Sequence, residues 1–428
     1  MAPSVEDTRI ATEPASKKAK PNPTSDPLVY DIHHQKFISD SLPSTASAWI
    51  ERARQVSEIF AQDAAARDIE NKSPRAEVSL LKSSGLLKVL GPKEVGGGGQ
   101  DWEVAYKVIR EVAKGDGSLG MLLGYHLLWS TTANVVGTDE QKARIQKLIL
   151  ENNYFVGGAV NPRDNDLKIT EEGDYLVFDG FKNFNTGGVV SDLTVLEGVY
   201  AETEHHIFAF VPTAQPGIEF AHNWNNVGLR LTESGSVHIN KIQVPCIPQH
   251  SFCKPPPPTI QLVFSNFYLG IAQGSLSFAA KYTTTSTRAW PYGGDNKASP
   301  TEEFYILERY GNFFAHLRAA ETLADRAGKE IADVYRKHGE KRTVSERERG
   351  EVAEWVASTK IVTTDTALRV TAGVFEVTGS RATGRKVGLD RFWRDVRTHT
   401  LHDPVAYKNR EVGEYVLLDK VPEPTWYT

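Results

Sequence analysis

Cysteine is scarce in this 428-residue chain, which holds only Cys246 and Cys253. They flank no C-x-x-C pair, so neither a zinc site nor a disulfide framework is expected. Sparse cysteine suits a reducing compartment, and a cytoplasmic protein is the expectation. Long apolar runs are missing too. No stretch approaches the ~18–20 apolar residues of a membrane helix, and the N-terminus lacks an apolar signal core. Charge of one sign is not in excess: the formal net charge of −5 offers no basic surface for nucleic acid. No G-x-G-x-x-G opens a βαβ unit, so the chain has no visible means of binding a nicotinamide dinucleotide.

What is present is ordinary globular composition, 40% hydrophobic and 24% charged, at a length that supports a large core. Residues 1–27 are rich in Pro, Ser, Thr and charge and read as a disordered tail. Residues 28–152 have helical spacing. "STASAWIERARQVSEIFAQDAAARD" starts with hydroxyl residues suited to an N-cap and continues with Ile50, Ala53, Val56, Ile59 and Phe60. Helices are expected near 100–114, 117–136 and 139–151, the second buried on most faces because "GSLGMLLGYHLLWS" is apolar almost throughout. "GGGG" at 96–99 lacks the strand and Lys-Ser/Thr of a phosphate loop and reads as a flexible connection. From Asn153 the character changes. "YFVGGAV", "DLTVLEGVY", "HHIFAFVP" and "GSVHINKIQVP" are short runs separated by Gly, Asp and Pro, which predicts an antiparallel β domain over 153–245. Residues 246–258 form a Pro-rich linker. Residues 259–428 are helical again, with an apolar stripe including Val352, Trp355, Val356 and Val362 that asks for a bundle.

The richest chemistry lies late, in "RTHTLHDPVAYK" at 397–408, which carries His399, His402 and Asp403. Histidine donates and accepts protons near neutral pH. A His-x-x-His pair also suits a metal, but no third ligand stands at a recognised spacing, so no metal is expected. His126, inside "LLGYHLLW", fits either a core histidine or a site residue.

With "GDYLVFDGFKNFNTGG", "TRAWPYGG" and "RFWRDVRTHTLHDP", the chain resembles the acyl-CoA dehydrogenase superfamily over nearly all of residues 30–420. The resemblance implies an α+β fold: an N-terminal helical domain, a central antiparallel β barrel and a C-terminal four-helix bundle, assembled as a homotetramer. The dehydrogenases end in a motif of the type I-Y-E-G-T, whose Glu removes a proton from the acyl-CoA. Here Asp403 and Pro404 stand at the Glu and Gly positions, and "VNP" with Asn161 replaces a T-E-P signature. These departures, with "GYH" at 124–126, are similar to the reduced-flavin-dependent monooxygenase branch, the dibenzothiophene monooxygenase type.

That branch implies externally supplied reduced FMN, with FAD as the alternative, and a separate NAD(P)H-dependent flavin reductase as partner. It implies O2 and a flavin hydroperoxide that oxygenates a small (hetero)aromatic, sulfur- or nitrogen-containing substrate. His402 is the first candidate proton donor, His399 its orienting or substrate-contacting neighbour, and His126 a third histidine facing the reacting oxygen. Thr186 is the hydroxyl beside the flavin. Asn161, Phe184, Trp224 and Ser234 are candidate ring contacts. Arg288, Arg381 and Lys408 are candidates for the phosphate, where cations are needed. Two other readings stand beside this one: an FAD-dependent acyl-CoA dehydrogenase with Asp403 as base, and a flavin-free scaffold of the same fold.

Overall fold

The computed structural model describes residues 20–163, 166–203, 205–245, 259–293, 296–339 and 343–425. Most of the expected tail, both cysteines and the Pro-rich linker lie outside these residues.

Eight α-helices open the described residues: α1 Asp31–Ser39, α2 Ala46–Ala61, α3 Ala64–Glu70, α4 Arg75–Ser83, α5 Trp102–Gly115, α6 Gly117–Ser130, α7 Thr132–Val136 and α8 Asp139–Glu151. Their starts follow capping chemistry. Thr45, Asp101 and Asp116 accept from the backbone N–H three residues on, and Thr138 with Gln141 forms a capping box. Every residue of α6 is buried. Gly124 permits this, because a Cβ there would sit 2.7 Å from a methyl of Val263. The expected helix at 117–136 divides at Thr131, whose hydroxyl bonds the Leu127 and Leu128 carbonyls.

Two loop expectations are corrected. The tail is tied down from Asn22 onward: Ser73 N–H donates to the Pro23 carbonyl, and the Ser25 hydroxyl donates to Glu77 at 2.7 Å. "GGGG" is packed rather than flexible. The N–H groups of Gly97, Gly98 and Gly99 bond Pro92, Lys88 and Gly91, and a Cβ on Gly98 would meet the Trp49 ring at 2.5 Å.

Seven strands follow: β1 Val156–Ala159, β2 Leu167–Glu172, β3 Tyr175–Lys182, β4 Leu193–Tyr200, β5 His206–Pro212, β6 Ile218–Phe220 and β7 Val237–Pro245. They form one curled sheet in the order β1-β4-β2-β3-β7-β6, with β5 on β4. The β2–β3, β3–β7, β4–β5 and β6–β7 pairings are antiparallel. β4 also pairs in parallel with β1 and, briefly, β2. Leu167, Ile169, Phe178, Leu196, Val237 and Ile239 fill the sheet's own core.

The C-terminal part comprises α9 Thr259–Ser286, α10 Phe304–His338, α11 Glu346–Thr378, α12 Asp390–His399 and α13 Val405–Leu418. α9 packs on both α5 and α11, so the N- and C-terminal helices share one core. α13 lies on α11, while α12 bridges α9, α11 and α6. Among the described residues, no helix is long and apolar enough to cross a membrane.

Candidate active site at the helix–sheet seam

On the helix side a chain of polar groups runs from the surface inward. His402, about a third exposed, meets Asp403 Oδ1 at 3.3 Å. Lys360 Nζ lies 3.4 Å from the same oxygen and donates to the Tyr268 hydroxyl at 3.2 Å. Tyr268 Oη is 2.7 Å from His399 Nδ1, and His399 Nε2 is 3.1 Å from Tyr125 Oη. The two imidazoles stack in parallel with centroids 5.1 Å apart, and the Phe264 ring stands edge-on to both. The spacing of three residues between His399 and His402 thus produces a stacked pair, although α12 ends at His399.

Burial sets the charge states. It pushes His399 well below the ordinary histidine range, and the nearby His402 and Lys360 charges add to this, so the ring is neutral. Burial lowers Lys360 to about 8 against the opposing pull of Asp403. Burial alone would raise the Asp403 carboxyl. The His402 hydrogen bond and the Lys360 ammonium outweigh it and hold Asp403 well below the usual carboxylate range.

On the sheet side the candidates are hydroxyls and aromatic rings. Thr186 Oγ1 and Ser234 Oγ lie 3.0 Å apart, and Ser234 Oγ is 2.7 Å from Thr232 Oγ1. The Trp224 indole donates to the Leu229 carbonyl at 2.8 Å. Phe184 stands edge-on to Trp224, 57% exposed, on a backbone held at φ 59°. A non-glycine residue at positive φ persists where its surroundings determine it, and such positions gather at functional sites. Behind this group Lys182 and Glu197 form a wholly buried ion pair at 2.9 Å. Glu197 accepts the Asn161 N–H and Lys182 donates to the Asn161 carbonyl, so the pair fixes the backbone of Asn161. The Asn161 side chain accepts from Arg163 N–H at 3.3 Å.

The loop between Trp224 and Ser234 is clamped onto α12. Gly228 N–H donates to the Thr398 hydroxyl at 2.9 Å, and Leu229 N–H to Asp395 Oδ1 at 2.6 Å. A Cβ on Gly228 would lie 2.2 Å from the Arg394 backbone, so only glycine allows this approach. Trp129 links the halves from another direction. Its ring stands edge-on to Tyr125, and a Cβ on Gly158 of β1 would lie 2.4 Å from its Nε1.

The site candidates fall into two groups: His399 and His402 at the end of α12 and in the turn beyond it, and Thr186, Phe184, Trp224 and Ser234 in loops between the strands. His126 is corrected. Its Nε2–H donates to the Leu87 carbonyl at 3.1 Å and its Nδ1 accepts from Val156 N–H at 3.0 Å, so both ring nitrogens serve the backbone. Burial lowers its pKa to about 4. Adjacent helical residues point about 100° apart, and it is Tyr125 of "GYH" that meets His399. Lys408 is corrected as well. Its amine is held by Glu411 at 2.9 and 3.0 Å in the α11–α13 seam.

Arg288 and Arg381 do lie together, since Arg381 donates to the Ser286 carbonyl, two residues before Arg288. They sit at the far end of α9. Between Tyr268 and Ser286, helix rising about 1.5 Å per residue puts roughly 27 Å. That length of helix separates the two arginines from the histidine pair.

Sequence reasoning passed over Tyr125, Phe264, Tyr268 and Lys360. The available signal was Lys360 itself, a cation in the midst of a long buried helical face.

Comparison with known proteins agrees with this architecture. Residues 45–152 match the acyl-CoA dehydrogenase N-terminal domain, and residues 262–406 the acyl-CoA dehydrogenase C-terminal domain. Dibenzothiophene monooxygenase of Mycolicibacterium goodii is 38% identical over 88% of this chain and 95% of its own length. A probable FMNH2-dependent monooxygenase of Pseudomonas putida is 32% identical over 88% of this chain and 96% of its own. The dibenzothiophene monooxygenase of Paenibacillus sp. A11-2, solved with FMN and indole, superposes with a TM-score of 0.83 at 32% identity, covering 89% of this chain and all of the other.

Proposed function

The chain belongs to the acyl-CoA dehydrogenase superfamily, in its flavin-dependent monooxygenase branch, and from that premise we propose a two-component enzyme. Reduced FMN comes from a separate NAD(P)H-dependent flavin reductase. With O2 it oxygenates a small (hetero)aromatic, sulfur- or nitrogen-containing substrate through a flavin hydroperoxide. The bound flavin supplies the oxygen chemistry, and the protein binds, orients and moves protons.

One observation carries this reading. Where a dehydrogenase needs a free carboxylate base, Asp403 is bound to Lys360 and His402 and held well below the usual carboxylate range. Such a carboxylate is a weak base. A stacked pair of histidines, one neutral and buried, stands beside it instead.

The residues present suit a flavin. Thr186 and Ser234 offer hydroxyls to a polar ring edge, and Phe184 and Trp224 offer aromatic walls. Trp129 Nε1, the Asn185 amide and Asp403 Oδ2 are buried without a hydrogen-bond partner among the described residues, leaving polar atoms for a ligand to satisfy. In this reading His402 delivers a proton to the reacting oxygen, and Tyr125 and Tyr268 orient His399. Arg288 and Arg381 meet the phosphate of a flavin in a neighbouring copy, which makes the homotetramer part of the site.

Stopped-flow mixing of the protein and FMNH2 with O2 tests the proposal. A transient near-ultraviolet absorbance of an oxygenated flavin is expected before the blue-region band of oxidised flavin appears. Tight binding of oxidised FAD and its reduction by an acyl-CoA overturn the proposal in favour of a dehydrogenase, and failure to bind any flavin marks a scaffold.

A further inference from the structure

We propose that Lys360 is a positioning residue: its ammonium, sealed behind Phe264 and Tyr268, fixes the tautomer of His399 and so the direction in which the Tyr125–His399–Tyr268 chain passes a proton. The mechanistic consequence rests on the monooxygenase reading; the tautomer does not.

Lys360 is fully buried on α11. A buried ammonium is costly, and an apolar residue would fill the same space without that cost. Its carboxylate partner among the described residues, Asp403, stands at a loose 3.4 Å. Its other contacts converge on the site: the Tyr268 hydroxyl at 3.2 Å, the Phe264 ring at 5.0 Å and the Tyr268 ring at 4.8 Å. The ammonium therefore acts on Tyr268 as much as on Asp403.

An ammonium only donates, so the Tyr268 oxygen accepts from it. The phenol's own proton has two destinations, His399 Nδ1 at 2.7 Å and the His399 carbonyl at 3.1 Å. A positive charge on the phenol oxygen makes it a better donor and a poorer acceptor, and the shorter contact takes the proton. His399 is neutral and carries one N–H. With Nδ1 accepting, that proton sits on Nε2 and points at Tyr125, 3.1 Å away. Without the ammonium, a reversed chain is as well bonded: Nδ1–H donates to Tyr268, Tyr268 to the carbonyl, and Tyr125 to Nε2. The two arrangements differ in direction, and the charge on Lys360 selects one.

The groups facing Lys360 are Tyr268 from α9, His399 from α12, His402 and Asp403 from the turn beyond it, and Lys408 with Glu411 from α13. Asp403 stays ionised across the neutral range, and burial places the Lys360 transition at about 8. Above that pH the amine becomes an acceptor and the selection relaxes.

The test is histidine-selective ¹⁵N NMR of the ligand-free protein, with the His399 signal identified by His399→Gln among the twelve histidines. The expected result is an Nε2–H tautomer in wild type and in Lys360→Arg near neutral pH. Lys360→Met is expected to shift toward Nδ1–H, and wild type to make the same change across pH about 8. A Lys360→Met protein that melts like wild type and keeps the wild-type tautomer overturns the proposal. If that variant does not fold, the wild-type titration decides, and an unchanged tautomer from about pH 6.5 to about pH 9.5 overturns it. No flavin enters this experiment, so its failure is distinct from a failure of the O2-mixing test. In a working enzyme, Lys360→Arg is expected to move the basic limb of the pH–activity profile upward.

Discussion

The two faces of the seam are built from opposite materials. The helix face carries a chain of ionisable groups that starts at a part-exposed histidine and ends at the buried Tyr125. The sheet face presents hydroxyls and aromatic rings, and behind it Lys182 and His206 both pair with the buried Glu197. On the proposed reading, the difference separates proton handling from cofactor grip. Protons need groups whose charge can change. A grip works better when nothing in it titrates.

Four measurements bear on that division. The largest effect is expected from Lys182→Met. Among the described residues it leaves Glu197 buried with His206 and the Asn161 N–H as partners, and loss of one partner of a buried pair costs about 3–5 kcal/mol. Urea unfolding should register this. A near-neutral result shows that the sheet face does not depend on its hidden ion pair.

The next effect concerns His126, which stitches α6 to β1. Its folded pKa, about 4, lies below the ordinary value, so between those limits the unfolded chain binds more protons. Stability is then fully present above about pH 6.5 and is lost as pH falls toward 4. At 1.36 kcal/mol per unit the loss approaches about 3 kcal/mol. His126→Gln should flatten this limb of an acid melting series, and a limb that survives the change belongs to other groups.

His402→Ala should shorten the lifetime of the oxygenated flavin roughly 10²-fold, in keeping with the loss of a general acid, while FMNH2 affinity holds. A fall in affinity with an unchanged lifetime would put His402 on the gripping side and erase the distinction. The smallest effect is expected from Ser234→Ala: about 1 kcal/mol of FMNH2 affinity, roughly fivefold, with no change in any pH profile. A shifted profile would bring the hydroxyls into the proton chain.

Much of this organisation was legible in the sequence. The change of texture at Asn153 falls three residues before β1, because short β-branched runs cannot be helices of the same length. The C-terminal "RTHTLHDP" does supply the stacked histidines. Other features were visible only in part. "GYH" named the right turn of helix but the wrong residue, because a helix buried on every side shows no face in its pattern. Arg288 and Arg381 were placed together, yet their distance from Tyr268 depends on the length and direction of α9. Lys360 and Tyr268 stayed hidden, since each is one polar residue within a long buried helix and gains meaning only from the other.

Phe184 has a consequence for change over generations. The loop beneath it is held by backbone bonds, Asn185 N–H to Gly235 and Gly187 N–H to Thr232, and the exposed ring itself contributes little to packing. Asn or Gly would tolerate its left-handed backbone better than Phe does. In the proposed site, position 184 is thus a wall that can be replaced without disturbing the loop that carries it. A lineage could acquire new substrates by altering this one side chain, while the proton chain across the seam is inherited intact.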